Sequence, residues 1–390
     1  MEKLWNHNYV KLWIANFMLF FSFMLLTPLL PLYLSDTFQA DKATIGIVLS
    51  GYTLVSLMVR PFSGYFVDTF PRKVVLLLTW FFFCAFFAGY LVAGTLTMFA
   101  IFRTLHGAPY GAVTVANSTV AIDVLHPDRR SEGIGYYGLS NNLATAVSPS
   151  VAIYVFQACH DYNVLFLIAL GTSFLGIVVN STVKVDRKNV VLDKGKLSFD
   201  RFFLTKGWSQ GITLACYAYS YGVLSTYLAI YGKEELGIIG GSGLFFFLLC
   251  IGLMVSRIVG ARSLRRKLIA HNATIGSCIS FFGYLLFATL HNEVGFYGAA
   301  LIIGLGNGHM FPAFQNIFID MAPHSQRGTA NSTMLTSWDI GVGLGVVLGG
   351  TLSEHVGYHS AFWSGWIVNA IGLLLYFAYS RNHFLKHKLR

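Results

Sequence analysis

Long apolar stretches recur along the whole chain and constrain its fold more than any other feature. A helix needs about 20 apolar residues to cross the hydrocarbon core of a bilayer, and inside lipid it satisfies its own backbone hydrogen bonds. Twelve stretches approach that length, and they lie at 12–34, 43–65, 74–96, 97–122, 133–156, 163–182, 207–232, 241–263, 268–290, 294–319, 329–352 and 360–380. We therefore predict an all-α membrane protein with twelve transmembrane helices.

Composition and motifs narrow the class further. Of the 390 residues, 55% are hydrophobic and 11% are charged, which excludes an ordinary soluble domain. The five cysteines show no metal-binding spacing, so we expect neither a metal site nor a disulfide framework. We find no phosphate-cradling loop and no nucleophile elbow. The chain is therefore expected to be neither an ATP-driven pump nor an enzyme, and to need no cofactor.

The basic residues indicate how the chain crosses the membrane. Lys and Arg gather on the cytoplasmic side of membrane proteins. If both termini are cytoplasmic, all but three of the 27 Lys and Arg residues fall on that side. The exceptions are Lys42 and Lys233 in outer loops and Arg103 inside a helix. The net charge of +10 therefore has a membrane explanation, and we expect no nucleic-acid partner.

A polar stretch and an internal repeat divide the chain into halves. Residues 183–206 separate six predicted helices from six. An offset of 197 residues aligns the halves without a gap; it carries Gly46 to Gly243, Arg60 to Arg257, Gly107 to Gly304, Asp123 to Asp320 and Arg130 to Arg327. Duplicated halves with a substrate path between them are a known transporter plan. We predict pseudo-symmetric six-helix bundles at 1–182 and 207–390, joined by a cytoplasmic linker at 183–206.

A charged turn follows the second predicted helix. Gly64, Asp68 and Arg72 are spaced four residues apart there, with Pro71 and Lys73 beside them. One interpretation is a membrane-edge turn that obeys the positive-inside bias. The other is a latch, in which Asp68 caps the N-terminus of a neighbouring helix and Arg72 pairs with a carboxylate.

This turn resembles the loop signature of the major facilitator superfamily, Gly-x-x-x-Asp-x-x-x-Arg-Lys, between that family's second and third membrane helices. With twelve helices in two sixes, the resemblance covers the whole chain. It implies a secondary transporter of major facilitator fold that works by alternating access, as a monomer, in the cytoplasmic (inner) membrane of a bacterium. The second half departs from the signature, because Ala261, Arg265 and Ile269 replace its Gly, Asp and Arg.

The resemblance also implies partners for the latch. In the family an acid at the end of helix 4 pairs with the signature Arg, so Asp123 is expected to pair with Arg72. Asp68 is then expected to face the start of the helix 329–352, near residues 328–331, where free backbone N–H groups favour an anion. Such contacts are expected to form only when the inner face is shut.

Two of the ionisable residues inside predicted helices stand well away from the helix ends, at depths where charge is costly and usually functional. Asp339 is about ten residues into helix 329–352, and its repeat mate is Asn142. We interpret Asp339 as a proton-carrying carboxylate; the alternative is an acid that only hydrogen-bonds a facing helix. Arg103 resembles the family's second signature, an Arg followed four residues later by Gly, which is implicated in proton coupling in drug and metabolite antiporters. Its alternative is an Arg that snorkels toward the outer face.

Several polar residues in the predicted helices are candidates for a substrate cavity, although each one alone also fits a buried interhelical hydrogen bond. They are Asn16, Tyr52, His106, Tyr110, Asn142, His309 and Gln315. Ser148 precedes Pro149 where exporters of the resembled family tend to carry Gly, which weakens the case for antiport.

We predict export of a small organic molecule in exchange for protons, through protonation of Asp339 assisted by Arg103. The alternatives are proton-coupled uptake or facilitated diffusion of a small metabolite and, from another class, a membrane receptor.

Overall fold

The computed structural model describes residues 4–185, 199–238 and 241–389. Within these ranges the chain forms helices and turns without any β-strand, so the predicted all-α fold is confirmed. The chain divides into two compact units. One consists of Met1–Gly133, Tyr137–Phe202 and Gln326–Ser332, and the other of Ile134–Tyr136, Phe203–Ser325 and Thr333–Arg390. Most of the predicted linker, residues 186–198, lies outside the described residues.

The N-terminal half of the chain contains seven α-helices among its described residues. They are α1 (His7–Leu26), α2 (Leu30–Phe38), α3 (Lys42–Thr69), α4 (Arg72–Val92), α5 (Leu96–Asp123), α6 (Arg130–Cys159) and α7 (Tyr162–Ser181). Side-chain oxygens cap several of their first turns. Asp41 accepts from the Thr44 N–H and Thr95 from the Met98 N–H, which satisfies donors that the helix itself leaves unpaired.

The C-terminal half repeats this plan. Its helices are α8 (Trp208–Glu234), α9 (Gly241–Arg265), α10 (Ile269–Thr289), α11 (Glu293–Met321), α12 (Arg327–His355), α13 (Tyr358–Leu375) and α14 (Arg381–His387), with a π-helical turn at Tyr376–Ser380 between the last two. The first residues of α12, up to Ser332, group with the N-terminal unit, whereas the rest of the helix belongs to the C-terminal unit.

One predicted helix is interrupted. The stretch 12–34 was expected to form a single helix, but α1 ends at Leu26 and α2 begins at Leu30. Pro28 and Pro31 fall at this break. Proline lacks a backbone N–H and clashes with the preceding turn, yet it fits the first turn of a new helix, where Pro31 stands. A hydropathy pattern does not register this effect.

Nine helices of the described chain are long and apolar enough to cross a membrane. The other three long helices are α5, α6 and α8, which carry many small and polar residues. In α5 these polar residues are largely buried: Arg103, His106, Asn117, Ser118 and Thr119 are at most 6% exposed. The weak hydropathy of α5 therefore reflects polar groups that the helix places inside the protein.

Close helix crossings occur at repeat-related glycines within each unit. A Cβ at Gly107 in α5 would collide with the Tyr52 carbonyl of α3, and a Cβ at Gly304 in α11 would collide with the Leu249 carbonyl of α9. The 197-residue offset relates both glycines and also the two residues whose carbonyls they face, Tyr52 and Leu249. Small residues let helix backbones approach closely in membranes. The two halves thus build the same helix crossing.

Candidate functional site

Asp68, near the end of α3, lies against the first turn of α12. Its Oδ1 accepts a hydrogen bond from the Gly328 N–H at 2.8 Å, and its Oδ2 accepts one from the Thr329 N–H at 2.7 Å. The Thr329 hydroxyl donates a third at 3.0 Å. The first N–H groups of a helix lack intrahelical partners and carry partial positive charge. The Asp68 carboxylate therefore caps α12 from another helix.

Two arginines and a second carboxylate surround this cap. Arg72 donates to Asp68 Oδ1 at 3.0 Å and to Asp123 Oδ2, and Arg327 donates to Asp123 Oδ1 at 3.0 Å. The side chains of Asp68 and Asp123 are only 8% and 12% exposed. Removing one member of such a group leaves a buried charge uncompensated, which is strongly destabilising. We call Asp68, Arg72, Asp123 and Arg327, with the first turn of α12, the charged cluster.

A glycine pair permits the approach of α3 to α12. A Cβ at Gly64 would stand 2.8 Å from the Gly328 carbonyl oxygen and 2.8 Å from the Ser332 Cβ. A Cβ at Gly328 would stand 2.7 Å from the Gly64 carbonyl oxygen. Both distances are too short for a real Cβ. The four residues predicted for the latch, Gly64, Asp68, Arg72 and Asp123, are thus brought together here.

Arg103 is buried among aromatic rings in the N-terminal unit. It is 4% exposed, and its guanidinium carbon lies 4.4 Å from the ring centre of Tyr52 and 5.2 Å from that of Phe23. Its Nη1 donates to the Tyr90 hydroxyl at 3.4 Å. Within the described residues no carboxylate pairs with it. The burial disfavours the snorkelling interpretation, because the guanidinium is enclosed by rings.

Tyr90 links Arg103 to His106. The Tyr90 hydroxyl lies 2.7 Å from His106 Nδ1. Because arginine only donates, the Tyr90 oxygen accepts from Arg103, whereas the donor between Tyr90 and His106 depends on the tautomer of the histidine. Tyr110 belongs to the same group, since its ring centre lies 5.2 Å from that of Tyr52 and 4.7 Å from that of Phe23.

Asn16 lies away from this group, in a separate polar network of the N-terminal unit. Tyr137 donates to Asn16 Oδ1 at 2.7 Å, Asn117 Nδ2 donates to the same oxygen at 3.2 Å, and Asn16 Nδ2 donates to Ser140 Oγ at 2.8 Å. Asn16 is 2% exposed. Its polar atoms are therefore engaged between α1, α5 and α6, which suits an interhelical contact.

The remaining candidates are more scattered. Asp339 and Asn142 are half-buried, and His309 and Gln315 are each 8% exposed. His309 packs against α9, where a Cβ at Gly260 would stand 2.7 Å from its Nδ1. Of these four, Asn142 lies in the N-terminal unit and the other three in the C-terminal unit. The structure does not gather them into one cluster within a unit.

Arg327 is the main residue that sequence reasoning missed in the charged cluster. Its repeat mate Arg130 donates to the Ile122 and Leu125 carbonyls beside the end of α5. In the sequence, Arg327 served only as a landmark of the 197-residue repeat. Tyr90 was also missed, because a tyrosine in an aromatic-rich helix resembles its neighbours. The signal available for Arg327 was its position, seven residues after Asp320 at the start of a helix.

Side chains with metal-binding chemistry do not cluster in the described chain. Among the described residues, no group of three or more His, Cys, Asp or Glu is placed to hold a metal ion. The cysteines are all free. The chemistry of the described sites is therefore that of charge pairs, hydrogen bonds and aromatic faces.

Several known transporters resemble this chain in sequence or in fold. The chain is 24% identical over 370 residues to the staphylopine export protein of Staphylococcus aureus strain Mu50, with 90% of each chain covered. It is 23% identical over 384 residues to the uncharacterized MFS-type transporter YhhS of Escherichia coli K12, with 95% and 92% covered. The fold superposes on the human organic anion transporter MFSD10 with a TM-score of 0.80 at 14% identity, with 95% and 99% covered.

A family model extends over nearly the whole sequence. The model described as Major Facilitator Superfamily matches residues 12–341 and 275–389. The helix bundle, the capped α12 and the repeat agree with this match. The chain belongs to the major facilitator superfamily and is a multi-pass membrane transporter of small substrates.

Proposed function

We propose that this transporter exports a small organic molecule in exchange for protons, by alternating access. The observation that carries the proposal is the place of Asp339. It stands about 18 Å along α12 from the start of the helix, at 1.5 Å per residue, and is half-buried. Carboxylates at that depth commonly mark ion or substrate paths. The similarity of the chain to the staphylopine export protein supports the export direction.

A proton on Asp339 can drive transport only if the two access states bind it with different affinity. A ligand shifts a conformational equilibrium by its differential affinity for the two states, and by no more. Neutralising a carboxylate inside the membrane changes its solvation strongly. Asp339 is therefore proposed as the proton carrier. Arg103 is proposed to assist it, as a fixed positive charge whose interaction with the Asp339 carboxylate changes when that carboxylate is protonated.

The charged cluster is proposed as the conformational latch. It holds α12 by its first turn through Asp68, and it places charges that are costly to separate. Interfaces of this kind have two discrete arrangements and switch between them. We propose that the cluster forms in the outward-open state and opens when the cytoplasmic side opens. Both termini are placed in the cytoplasm of a bacterial cell by the same proposal, on the strength of the Lys and Arg distribution.

A flux measurement in liposomes tests the proposal. Purified protein is reconstituted, a pH gradient is imposed, and uptake is followed for a panel of neutral, anionic and cationic organic compounds. We expect gradient-driven accumulation by the wild type. We expect Asp339→Asn to lose the accumulation while keeping exchange of labelled for unlabelled compound. Glu354→Gln is the matched control, because Glu354 is an exposed acid on the same helix. Gradient-driven accumulation by Asp339→Asn would contradict the assignment of Asp339 as the proton carrier.

The second candidate is uptake, by symport or facilitated diffusion, with Asp339 as a hydrogen-bond partner of the substrate. One observation favours it. Ser148, ahead of Pro149 in α6, is buried and donates to the Ala144 carbonyl at 2.6 Å, where exporters of the family tend to have Gly. Equal flux in the presence and absence of a pH gradient identifies a facilitator. Accumulation in the same direction as the protons identifies a symporter.

A further inference from the structure

The charge of Arg103 is left uncompensated by the described acids of its own unit. Each described acid of that unit is engaged elsewhere. Asp36 accepts from the Tyr162 hydroxyl, Asp41 caps α3, Asp68 and Asp123 belong to the charged cluster, Asp128 lies beside His126, Glu132 pairs with Arg129, Asp161 caps α7 and Asp200 accepts from Gln326. An isolated charge is expensive to bury, and ring faces offset only part of that cost.

The repeat shows that the fold does not need a charge at this place. The offset of 197 residues relates Arg103 to Ala300, Tyr52 to Leu249, Tyr90 to Phe287 and His106 to Ile303. All four residues of the C-terminal unit are buried in one hydrophobic core cluster. The same helix crossing is thus built from apolar side chains alone. The polar group around Arg103 is a specialisation of the N-terminal unit.

Three buried polar atoms of this group have no hydrogen-bond partner among the described residues. They are Arg103 Nε, His106 Nε2 and the Tyr52 hydroxyl. The ring of Tyr52 lies 4.4 Å from the guanidinium carbon and its centre 6.0 Å from that of His106, so the three share one neighbourhood. Arg103 Nε and the Tyr52 hydroxyl can each donate a hydrogen bond, and His106 Nε2 donates in the tautomer that carries the proton there. Donors around an unpaired cation form a site for an anion with several acceptor atoms.

We propose that Arg103, with Tyr52 and His106, binds the carboxylate of the transported molecule, an organic acid with a flat apolar body. A carboxylate matches the planar guanidinium and supplies the missing negative charge. The rings of Phe23 and Tyr110, 4.7 Å apart between centres, provide aromatic surface for the apolar part. The inference rests on the proposed transport of small organic molecules and assigns their chemical class.

Matched pairs of compounds test the carboxylate directly. Binding to the purified protein in detergent is measured with phenylacetate against phenylacetamide and with indole-3-acetate against indole-3-acetamide, by ligand-induced thermal stabilisation. We expect each acid to bind the wild type about ten- to a hundred-fold more tightly than its amide, the range expected for hydrogen bonds to a charged group. Arg103→Ala is expected to abolish the difference and Arg103→Lys to keep part of it.

Two controls separate a binding role from a structural one. Arg103→Ala introduces the residue that the other half carries at the same crossing, so the variant is expected to fold and to keep the wild-type affinity for the amides. Lys11→Gln removes one positive charge from the same unit, at a side chain that only donates to the Thr182 carbonyl at the exposed end of α7. We expect it to leave both affinities unchanged.

The outcomes distinguish this inference from the proposed function. Equal affinity of the wild type for acids and amides, or no binding of either acid, overturns the carboxylate site. Equal stabilisation by sodium chloride alone overturns it in favour of an inorganic anion site. If liposomes then still show gradient-driven flux of neutral compounds, the proposed function stands without the carboxylate site. If no compound of the panel crosses with the wild type, the proposed function itself fails.

Discussion

Asp68 accepts a hydrogen bond from the backbone N–H of Gly328 at 2.8 Å, although 260 positions separate the two residues in the chain. The contact joins the end of α3 to the beginning of α12, and Thr329 reinforces it through its N–H and its hydroxyl. A side chain of one repeat thereby caps a helix that starts in the other repeat. The second half has Arg265 where the first has Asp68, so this cap occurs once in the pair of equivalent turns.

Loss of the cap is expected to destabilise the folded protein. Asp68→Ala removes three hydrogen bonds accepted from α12 and a fourth accepted from Arg72, which is left with one carboxylate instead of two. We expect a loss of about 3 kcal/mol in the free energy of unfolding, measured by denaturation of the purified protein in mixed micelles. Asp128→Ala serves as control, because the Asp128 side chain is 76% exposed beside His126. Equal losses for the two variants would show that the cap contributes nothing.

The close approach of α3 to α12 is expected to tolerate no side chain at Gly64. Gly64→Ala places a Cβ against the Gly328 carbonyl and Ser332, which forces the helices apart at a cost of about 1–3 kcal/mol. Gly46→Ala is the matched control in the same helix, since a Cβ there meets nothing within 4 Å. We expect this control to be neutral or slightly stabilising. The same denaturation measurement checks both, and an unaffected Gly64→Ala protein would contradict the packing described.

Asp123 and Arg327 are expected to be energetically coupled. A double-mutant cycle with Asp123→Asn and Arg327→Gln is predicted to give a coupling energy of about 1–3 kcal/mol, because the pair is largely buried. The control cycle uses His126→Gln and Asp128→Asn, an exposed pair, for which we expect about 0.5 kcal/mol or less. Coupling in the first cycle no larger than in the control would mean that Arg327 is not part of the charged cluster.

Low pH is expected to destabilise the folded protein through His291, which lies in the loop between α10 and α11. Burial and the neighbouring His359 lower the pKa of His291 below 6.5, against a smaller opposing effect of Glu235, while the Tyr231 hydroxyl contacts its ring at 3.1 Å. Unfolded His291 then binds protons more readily than folded His291, so stability falls as the pH drops through about 6.5. His291→Asn is predicted to flatten the dependence of melting temperature on pH between 8 and 5.5. His126→Asn, at an exposed position, should leave the slope unchanged; a wild-type slope in His291→Asn would contradict this origin.

The fold was predictable because the lengths of the apolar stretches determine where the membrane helices lie. Stretches of about 20 apolar residues require helices whatever their partners are, and the repeat offset locates equivalent crossings such as Gly107 and Gly304. The break between Leu26 and Leu30 was not predictable from hydropathy. It depends on the backbone N–H groups that Pro28 and Pro31 lack, and not on how apolar the stretch is.

The candidate sites were predictable where one residue type has few possible partners. An acid at a membrane-edge turn was expected to cap a helix N-terminus, and the resemblance to the major facilitator superfamily pointed Asp68 to residues 328–331. Arg327 was not predicted in the charged cluster, because in the sequence it served only as a landmark of the repeat. Arg103 was predicted as a charge inside a helix, and the contacts of the described acids of its unit then showed that none of them pairs with it. Excluding these acids as partners of Arg103 requires their contacts in the folded structure, which the sequence does not contain.

Proton movement caused by the substrate is the most direct test of the central claim. Liposomes containing the protein and a pH-sensitive dye are loaded with a transported compound and diluted into compound-free buffer, with protein-free liposomes as the measure of leak. Proton-coupled export predicts acidification of the interior as the compound leaves, and no acidification with Asp339→Asn. Exit of the compound from wild-type liposomes at constant internal pH, or equal acidification with Asp339→Asn, would contradict the account.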